Sequence, residues 1–496
     1  MTAYLRPGVF VEETLNPLPP ALGTNAQSVA AFIGAIDRGP IDVTAITSWS
    51  QFTNLYGGYG VNNSVHIAVL LFFSNGGGTC YVRRTVGSGA ATSTRSFNDR
   101  AESPASTLRI NASNPGTWGN TLNVSIQDSN SGVGVDVIVY LGGTDSAHIV
   151  EKFTDLTMGG NDPRYLVGVI NGQSNYIQVT DLGSEATGGA RNPVVATNQY
   201  LASGADGADV AAINIAGDVA AFDVVHNSLI LNAPGVTDAT AVGNLLGYAQ
   251  ARGDAFVIID PVNGNAAAQI STATGYTSSS YGAVYYPKIT IKDPTSTVSG
   301  VTTAVNPGGA LAGIYASTDA ARGVFKAPAG LATRIAGAIS VPTLTNAELD
   351  AMNSNAAAVN AIKYVTGSGI VVMGSRTLNP TYVDKYVPVR RTLIYLRKSM
   401  TDLTQFAIFE PNDEKLWRRI NAALDGFLRD FWRQGGLRGS SPAQAFFVKC
   451  DANNNPQASI DNGYVNIEVG VALQRPAEFV VIKISQFDGG STVTVA

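Results

Sequence analysis

A strand-and-helix rhythm starts at Val29, breaks off near residue 86 and returns only from Val224. The first stretch reads as an apolar strand Ala30 to Ile36, a short helix around Ser50 to Tyr56, a helix Ser64 to Ser74 stopped by Gly76-Gly77-Gly78, and a strand Thr79 to Arg84. These strands have no sheet to finish within their own segment. Residues 87–220 are instead rich in Ser, Thr, Asn and Gly. Their alternating strands, such as Leu122-Asn123-Val124-Ser125-Ile126 and Val135-Asp136-Val137-Ile138-Val139, read as an all-β insertion. When the rhythm resumes it gives a strand Leu229 to Leu231, a helix Asp238 to Ala251, a buried strand Phe256 to Ile259 and a strand Gly282 to Tyr286. A later helix opens with the capping box Thr345-Asn346-Ala347-Glu348. Strand–helix–strand spacing predicts a largely parallel sheet. A chain of 496 residues also exceeds what one hydrophobic core supports, so the expected class is a multidomain α/β protein.

Both ends carry short β-prone tips. Val9-Phe10-Val11 is followed by Asn16-Pro17-Leu18-Pro19-Pro20, and prolines that fix φ and withhold N–H donors predict an extended arm over residues 1–27. The strongest helix is Asn412 to Gln434, with Leu416, Ile420, Ala423, Phe427 and Phe431 at helical spacing and Asn412 as its cap. A hairpin of Ala445 to Cys450 and Tyr464 to Leu473 follows, with Val465, Ile467 and Val469 alternating toward one face. A final strand Phe479 to Ser485, containing Val481 and Ile482, precedes Gly489-Gly490 and the tip Val493-Thr494-Val495. Neither tip has a local partner. Val9, Phe10, Val11, Val493 and Val495 are therefore expected to add as strands to neighbouring subunits, and Val465, Ile467, Val469, Val481 and Ile482 to form the sheet that accepts them.

Charged residues make up only 14% of the chain against 45% hydrophobic, which leaves a surface poor in charge for a free monomer and points to burial against other chains. The net charge of −5 argues against direct nucleic-acid binding. Between Arg376 and Arg438 the balance reverses to +5, leaving −10 for the remainder. An ordinary solvated face fits that surplus, and so does a basic surface, carried by Lys415, Arg418, Arg419, Arg429 and Arg433, that docks on an acidic partner. Cys80 and Cys450 are too few for a disulfide framework or a zinc site, and suggest a reducing compartment. The opening MTAYLRPGVFVEE has no secretory pattern and the longest apolar stretch, Ile67 to Phe73, is far too short to span a bilayer, so no membrane insertion is expected.

Catalytic chemistry finds no purchase. A Ser-His-Asp arrangement needs a histidine held by a carboxylate beside an exposed serine. Only His66, His148 and His226 exist; His66 lies in an apolar helix and His226 beside a buried strand, where satisfied core histidines are expected. No G-x-S-x-G occurs, Gly374-Ser375-Arg376 lacks the glycine after serine, and Gly367-Ser368-Gly369 lacks the rest of a dinucleotide fingerprint. Asp451-Ala452-Asn453-Asn454-Asn455-Pro456 begins like a calcium loop but places proline where glycine is required. No catalytic residue, cofactor or metal is predicted, and the chain reads as structural rather than enzymatic.

Several stretches resemble the tail sheath proteins of contractile-tailed bacteriophages. Arg6-Pro7-Gly8-Val9-Phe10-Val11-Glu12-Glu13 resembles their N-terminal arm, and Asn114-Pro115-Gly116-Thr117-Trp118-Gly119-Asn120 the turn into their inserted β domain. Asn306-Pro307-Gly308-Gly309 through Ala312-Gly313-Ile314-Tyr315, Asp319 and Arg322 to Pro328 resembles the family's most recognisable segment. Gly374-Ser375-Arg376-Thr377-Leu378, Arg390-Arg391 and Glu410-Pro411-Asn412 extend the match. The resemblance implies an α+β core domain assembled from residues 28–86 and 376–475, the latter facing the tube. It also implies a middle α/β domain of subtilisin-like topology over 221–375, an outer insertion over 87–220, and a C-terminal strand and arm over 476–496. Its implied function is a homo-oligomeric helical sleeve around an inner tail tube protein, meeting baseplate and tail terminator proteins. Contraction drives the tube through the target envelope for genome ejection. Such a subunit sits in the contractile tail of a virion assembled in the host cytoplasm. The sheath of an R-type bacteriocin or of an extracellular contractile injection system fits the same residues, and a subtilisin-like hydrolase is the reading from a different class.

Overall fold

The computed structural model describes residues 28–208, 215–354, 357–381 and 384–478. The arm residues Val9, Phe10, Val11, Val493 and Val495, and also Val481 and Ile482, lie outside the described residues.

The centre of the molecule is an eight-stranded sheet. Six strands run parallel in the order Val359–Val365, Gly282–Tyr286, Ala255–Ile259, Ser228–Asn232, Ser28–Ala35, Cys80–Thr85. Antiparallel edge strands Gly369–Val372 and Thr44–Ile46 close the two sides. Strands such as Ala255–Ile259 and Gly282–Tyr286 are buried along their whole length, as a parallel sheet covered by helices requires. Alternation divides them between two cores. Ala30, Phe32, Ile230 and Phe256 face the helices Ser64–Ser74 and Gly308–Arg322. Ala31, Ile33, Leu229 and Val257 face Ala239–Arg252 and Ala266–Thr274.

Residues 28–86 share a core with Val387 and Ile394 of the 376–475 segment, but their strands pair elsewhere. Ser28–Ala35 pairs with Ser228–Asn232, Ser28 opposite Ser228 through Phe32 opposite Asn232, so the early segment completes the sheet of the later α/β segment. The physical reason lies in Ala30-Ala31-Phe32-Ile33: four consecutive buried residues need a strand on each side and a helix layer on each face, which only the parallel sheet supplies.

The β-rich unit has its own core of Leu108, Val124, Val137, Leu166 and neighbours. It lies between a three-stranded sheet (Thr94–Asn98, Ser106–Ala112, Ile177–Asp181) and a four-stranded one (Leu122–Asp128, Val135–Leu141, Ile149–Leu156, Ala196–Tyr200). It is not wholly β, because Leu166–Gln173 is a helix that buries Leu166 and Ile170. It also ends earlier than residue 220. The helix Ile215–Val219 returns to the large sheet, where Asp218 pairs with Arg83 at 2.9 Å. The entering and leaving chains run side by side, bridged antiparallel at Ser88–Ala208 and Ala91–Ala205. Buried Arg84 locks the junction by donating to the carbonyls of Ile36, Asp37, Gly39 and Pro115. Arg38 stacks over Trp118 at 5.7 Å and Tyr176 at 4.7 Å.

Candidate assembly interface

The C-terminal module is built from the helices Val387–Thr404 and Glu414–Arg433 and the hairpin Phe446–Lys449/Glu468–Val471. The first helix also seals the large sheet, with Val387 and Ile394 in its core. The second helix is strongly amphipathic. Leu416, Ile420 and Leu424 pack with Cys450, Val465 and Ile467, while Phe427, Leu428 and Phe431 pack with Val324, Leu396 and Phe446. Its cap is Asp413, whose carboxylate accepts from Leu416 N at 2.8 Å; Asn412 instead accepts from Trp417 Nε1 and donates to Tyr464 O. The charge at Asp413 suits the helix N-terminus, so aspartate wins the position over the neighbouring asparagine.

Of the expected basic residues, Lys415, Arg418, Arg419 and Arg433 are exposed and Arg429 is half-buried. Arg429 pairs with Asp425 at 2.8 Å and Arg433 with Asp430 at 3.2 Å, so both are neutralised on their own helix. Lys415, Arg418 and Arg419 make no ion pair among the described residues, and Arg419 lies 4.5 Å over the Phe406 ring. Part of the segment's surplus is offset by Glu478 and Asp319 from outside it, and Asp384 pairs within it. Arg376 pairs with Glu478, Arg390 with Asp384, and buried Arg391 with Asp319. The exposed positive charge of the helix thus reduces to one turn and a half at its N-terminal end.

Among the expected accepting residues, Val469 stands in a strand, whereas Val465 and Ile467 are half-buried against the helix ahead of it. The second hairpin strand is Glu468–Val471 rather than Tyr464 to Leu473, because a short helix Gln457–Asp461 and exposed Tyr464 occupy the approach. Val469 and Val471 line a cavity of about 300 Å³ with Leu393, Arg397 and Met400 of the first helix. Ile408 and Phe409 are exposed in the interhelical turn, and Phe409 sits at φ +64°. Two apolar residues in a loop gave no signal in sequence beyond their hydrophobicity.

The recognisable segment from Asn306 onward is a set of packing devices. Gly309 and Gly313 let the helix Gly308–Arg322 cross Ser64–Ser74 at close range, since a Cβ on Gly313 would lie 2.6 Å from Phe72 O. Gly308 N donates 2.8 Å to Asp260, which also accepts from Gly235 N at 3.0 Å and Asn232 Nδ2 at 3.4 Å. Further along, the Asp319–Arg391 pair ties this helix to Val387–Thr404, and the Arg391 guanidinium lies 4.6 Å over the Tyr315 ring. Phe325 then meets Phe431 edge-on at 5.8 Å, joining the sheet to the C-terminal module.

The histidines fall differently from expectation in one case. His66 is buried against Phe52 at 5.0 Å and Tyr59 at 5.8 Å, and burial lowers its pKa. His226 is exposed, because the strand it precedes begins only at Ser228. His148 lies on the surface beside Asp145 at 2.8 Å.

Similarity to known proteins follows this geometry. Residues 382–487 match the phage tail sheath C-terminal domain. The tail sheath protein of Vibrio phage KVP40 is 26% identical over 276 residues, which take in 54% of this chain and 37% of that protein, so the match spans little more than a third of the relative. Among solved structures, the helical sheath of the anti-feeding prophage in its contracted state aligns with a TM-score of 0.59 at 23% identity, covering 97% of this chain and 99% of that one. The contracted sheath complex of the extracellular contractile injection system PVC gives 0.57 at 22% identity over 98% and 99%. A sheath tail protein from Desulfitobacterium hafniense gives 0.59 at 14% identity over 90% and 94%. Residues 382–487 thus match the phage tail sheath C-terminal domain, on a chain whose mixed α/β fold is similar to that of these solved sheath proteins.

Proposed function

We propose that this chain is the structural subunit of a contractile sheath, polymerising by heterologous contacts into an open helical sleeve around an inner tube and shortening to drive the tube through a target envelope. The observation that carries the reading is the sheath C-terminal domain at 382–487 within a chain that aligns end to end with sheath subunits. Two arms link the subunits. The hairpin Phe446–Lys449/Glu468–Val471 has only two strands among the described residues, and a two-stranded sheet is marginal alone, so strand addition from the β-prone ends of neighbours would complete it. Lys415, Arg418 and Arg419 face an acidic tube, with Arg429 and Arg433 in supporting positions on the same helix. Tube, baseplate and terminator proteins are the partners of this reading, in a particle assembled in a host cytoplasm.

The sheath of a genome-free injection device is the second reading, favoured by the near-complete alignments to the anti-feeding prophage and PVC sheaths. The subtilisin-like hydrolase has little to build on, with His66 enclosed by aromatic rings and His148 paired on the surface.

The test is electron microscopy of the purified chain mixed with its inner tubes, beside a Lys415→Glu, Arg418→Glu double variant. The parent should form sleeves on tubes. The double variant should fold yet load tubes at least roughly tenfold less, since individually weak surface charges act through repetition along the lattice. Equal loading would remove the tube-facing assignment of this helix, and a parent that never polymerises would remove the sheath reading itself.

A further inference from the structure

Residues 474–478 leave the hairpin and run along the large sheet, lining with Phe325, Ala327, Met373 and Tyr386 a cavity of about 440 Å³. At its end Glu478 meets Arg376 in a two-pronged contact. Arg376 Nε donates to Oε1 at 2.6 Å and Nη2 to Oε2 at 2.5 Å, and Tyr386 Oη adds a bond to Oε2 at 3.2 Å. The Arg376 side chain is only 8% exposed. Its third nitrogen, Nη1, donates to Asn353 O, and its backbone is held on both sides by the Asn360 amide, at 2.7 Å and 2.8 Å. Asn360 belongs to the strand Val359–Val365. The guanidinium is therefore fixed to the eight-stranded sheet, while the carboxylate is the root of the chain's last segment.

A desolvated ion pair adds little net stability, because the cost of removing both charges from water offsets their attraction. Its forked geometry does specify one orientation. We propose that Arg376 and Glu478 form a clamp that fixes the exit point of residues 479–496 to the eight-stranded sheet, so that a tail exchanged between subunits follows that body when it turns. Arg376 is on this view a positioning residue. The clamp rests on reading those residues as an inter-subunit arm, and it deepens that reading by naming what aims the arm.

The experiment compares the full chain with three variants: Glu478→Ala, a chain truncated after residue 487, and the exchange Arg376→Glu with Glu478→Arg. Each is followed by thermal melting of the soluble subunit and by the yield of sedimentable sleeves. Glu478→Ala should stay folded but melt measurably below the parent, since it leaves the Arg376 guanidinium buried without its carboxylate, while sleeve yield at temperatures well below that melting point falls by roughly tenfold through repetition of the fault at every subunit. The exchange should recover part of that yield, which a merely space-filling role would not predict. If Glu478→Ala polymerises like the parent while the truncated chain does not, the clamp is wrong and the arm stands. A truncated chain that polymerises normally removes the arm and the clamp with it.

Discussion

Asp260 is enclosed at the C-terminal end of the strand Ala255–Ile259, and burial pushes its carboxyl up from 3.8 to about 6 in spite of the N–H donors from Gly235, Gly308 and Asn232. The folded protein holds this proton more tightly than the unfolded chain does. Below pH 4 both states are protonated and the advantage is complete. As pH rises from about 4 to about 6 the unfolded chain loses its proton first, and on the order of 3 kcal/mol of stability disappears over that interval. Urea unfolding of the parent and of Asp260→Asn across pH 4 to 8 checks this. The parent's stability should fall relative to the variant as pH rises, and parallel curves would mean that Asp260 is ionised throughout. Mild acid should accordingly tighten this junction. In sequence Asp260 was only the residue after a strand; its burial depends on Gly308, far along the chain, whose missing side chain leaves room for Asn232 and the carboxylate.

At the scale of elements, the helices Gly308–Arg322 and Ser64–Ser74 cross at close range. A methyl group at Gly309 would collide with the Ala68 carbonyl, which is backbone and cannot rotate away. Gly309→Ala should therefore cost about 1–3 kcal/mol by overpacking, where an exposed helix position would gain from the same change. Chemical denaturation decides the sign, and a stabilised variant would show that the helices can separate freely. Local pattern made Ser64–Ser74 legible, and likewise the helix Asn346–Ser354 with the capping box whose Thr345 N reaches Glu348 Oε2 at 2.8 Å, whereas Gly308–Arg322, opening on two glycines, gave no helical signal. The helix Glu414–Arg433 was equally plain from its apolar spacing, but its cap was misplaced by one residue, because asparagine and aspartate both favour that position. The segment's charge surplus reads too high from sequence for a different reason. A count over that segment leaves Arg376 and Arg391 uncompensated, and only the fold shows their partners Glu478 and Asp319 from outside it.

At the scale of the molecule, the strands themselves were readable and their neighbours were not. Phe256-Val257-Ile258-Ile259 declares a buried strand, yet nothing near Ala30 to Ile36 says that its partner begins at Ser228, because pairing across an insertion is decided by burial on both faces. The paired connections at Ala91–Ala205 lead to a prediction. Replacing residues 92–204 with a short Gly/Ser turn should leave the large sheet folded. It should lose about 2 kcal/mol from the Arg84–Pro115 bond and the Arg38 stacking, and still give sleeves. Circular dichroism and electron microscopy check the outcome, and a folded deletion variant that fails to polymerise would place the β-rich unit within the lattice.

That pair of adjoining strands acts as a socket. Whatever occupies it must only bring its own two termini within one strand spacing, a condition met by many compact domains. In the proposed sleeve, a foreign module with adjacent ends, spliced between Ala91 and Ala205, would be carried once per subunit at a repeat set by the helical lattice, giving a regular scaffold for multivalent display.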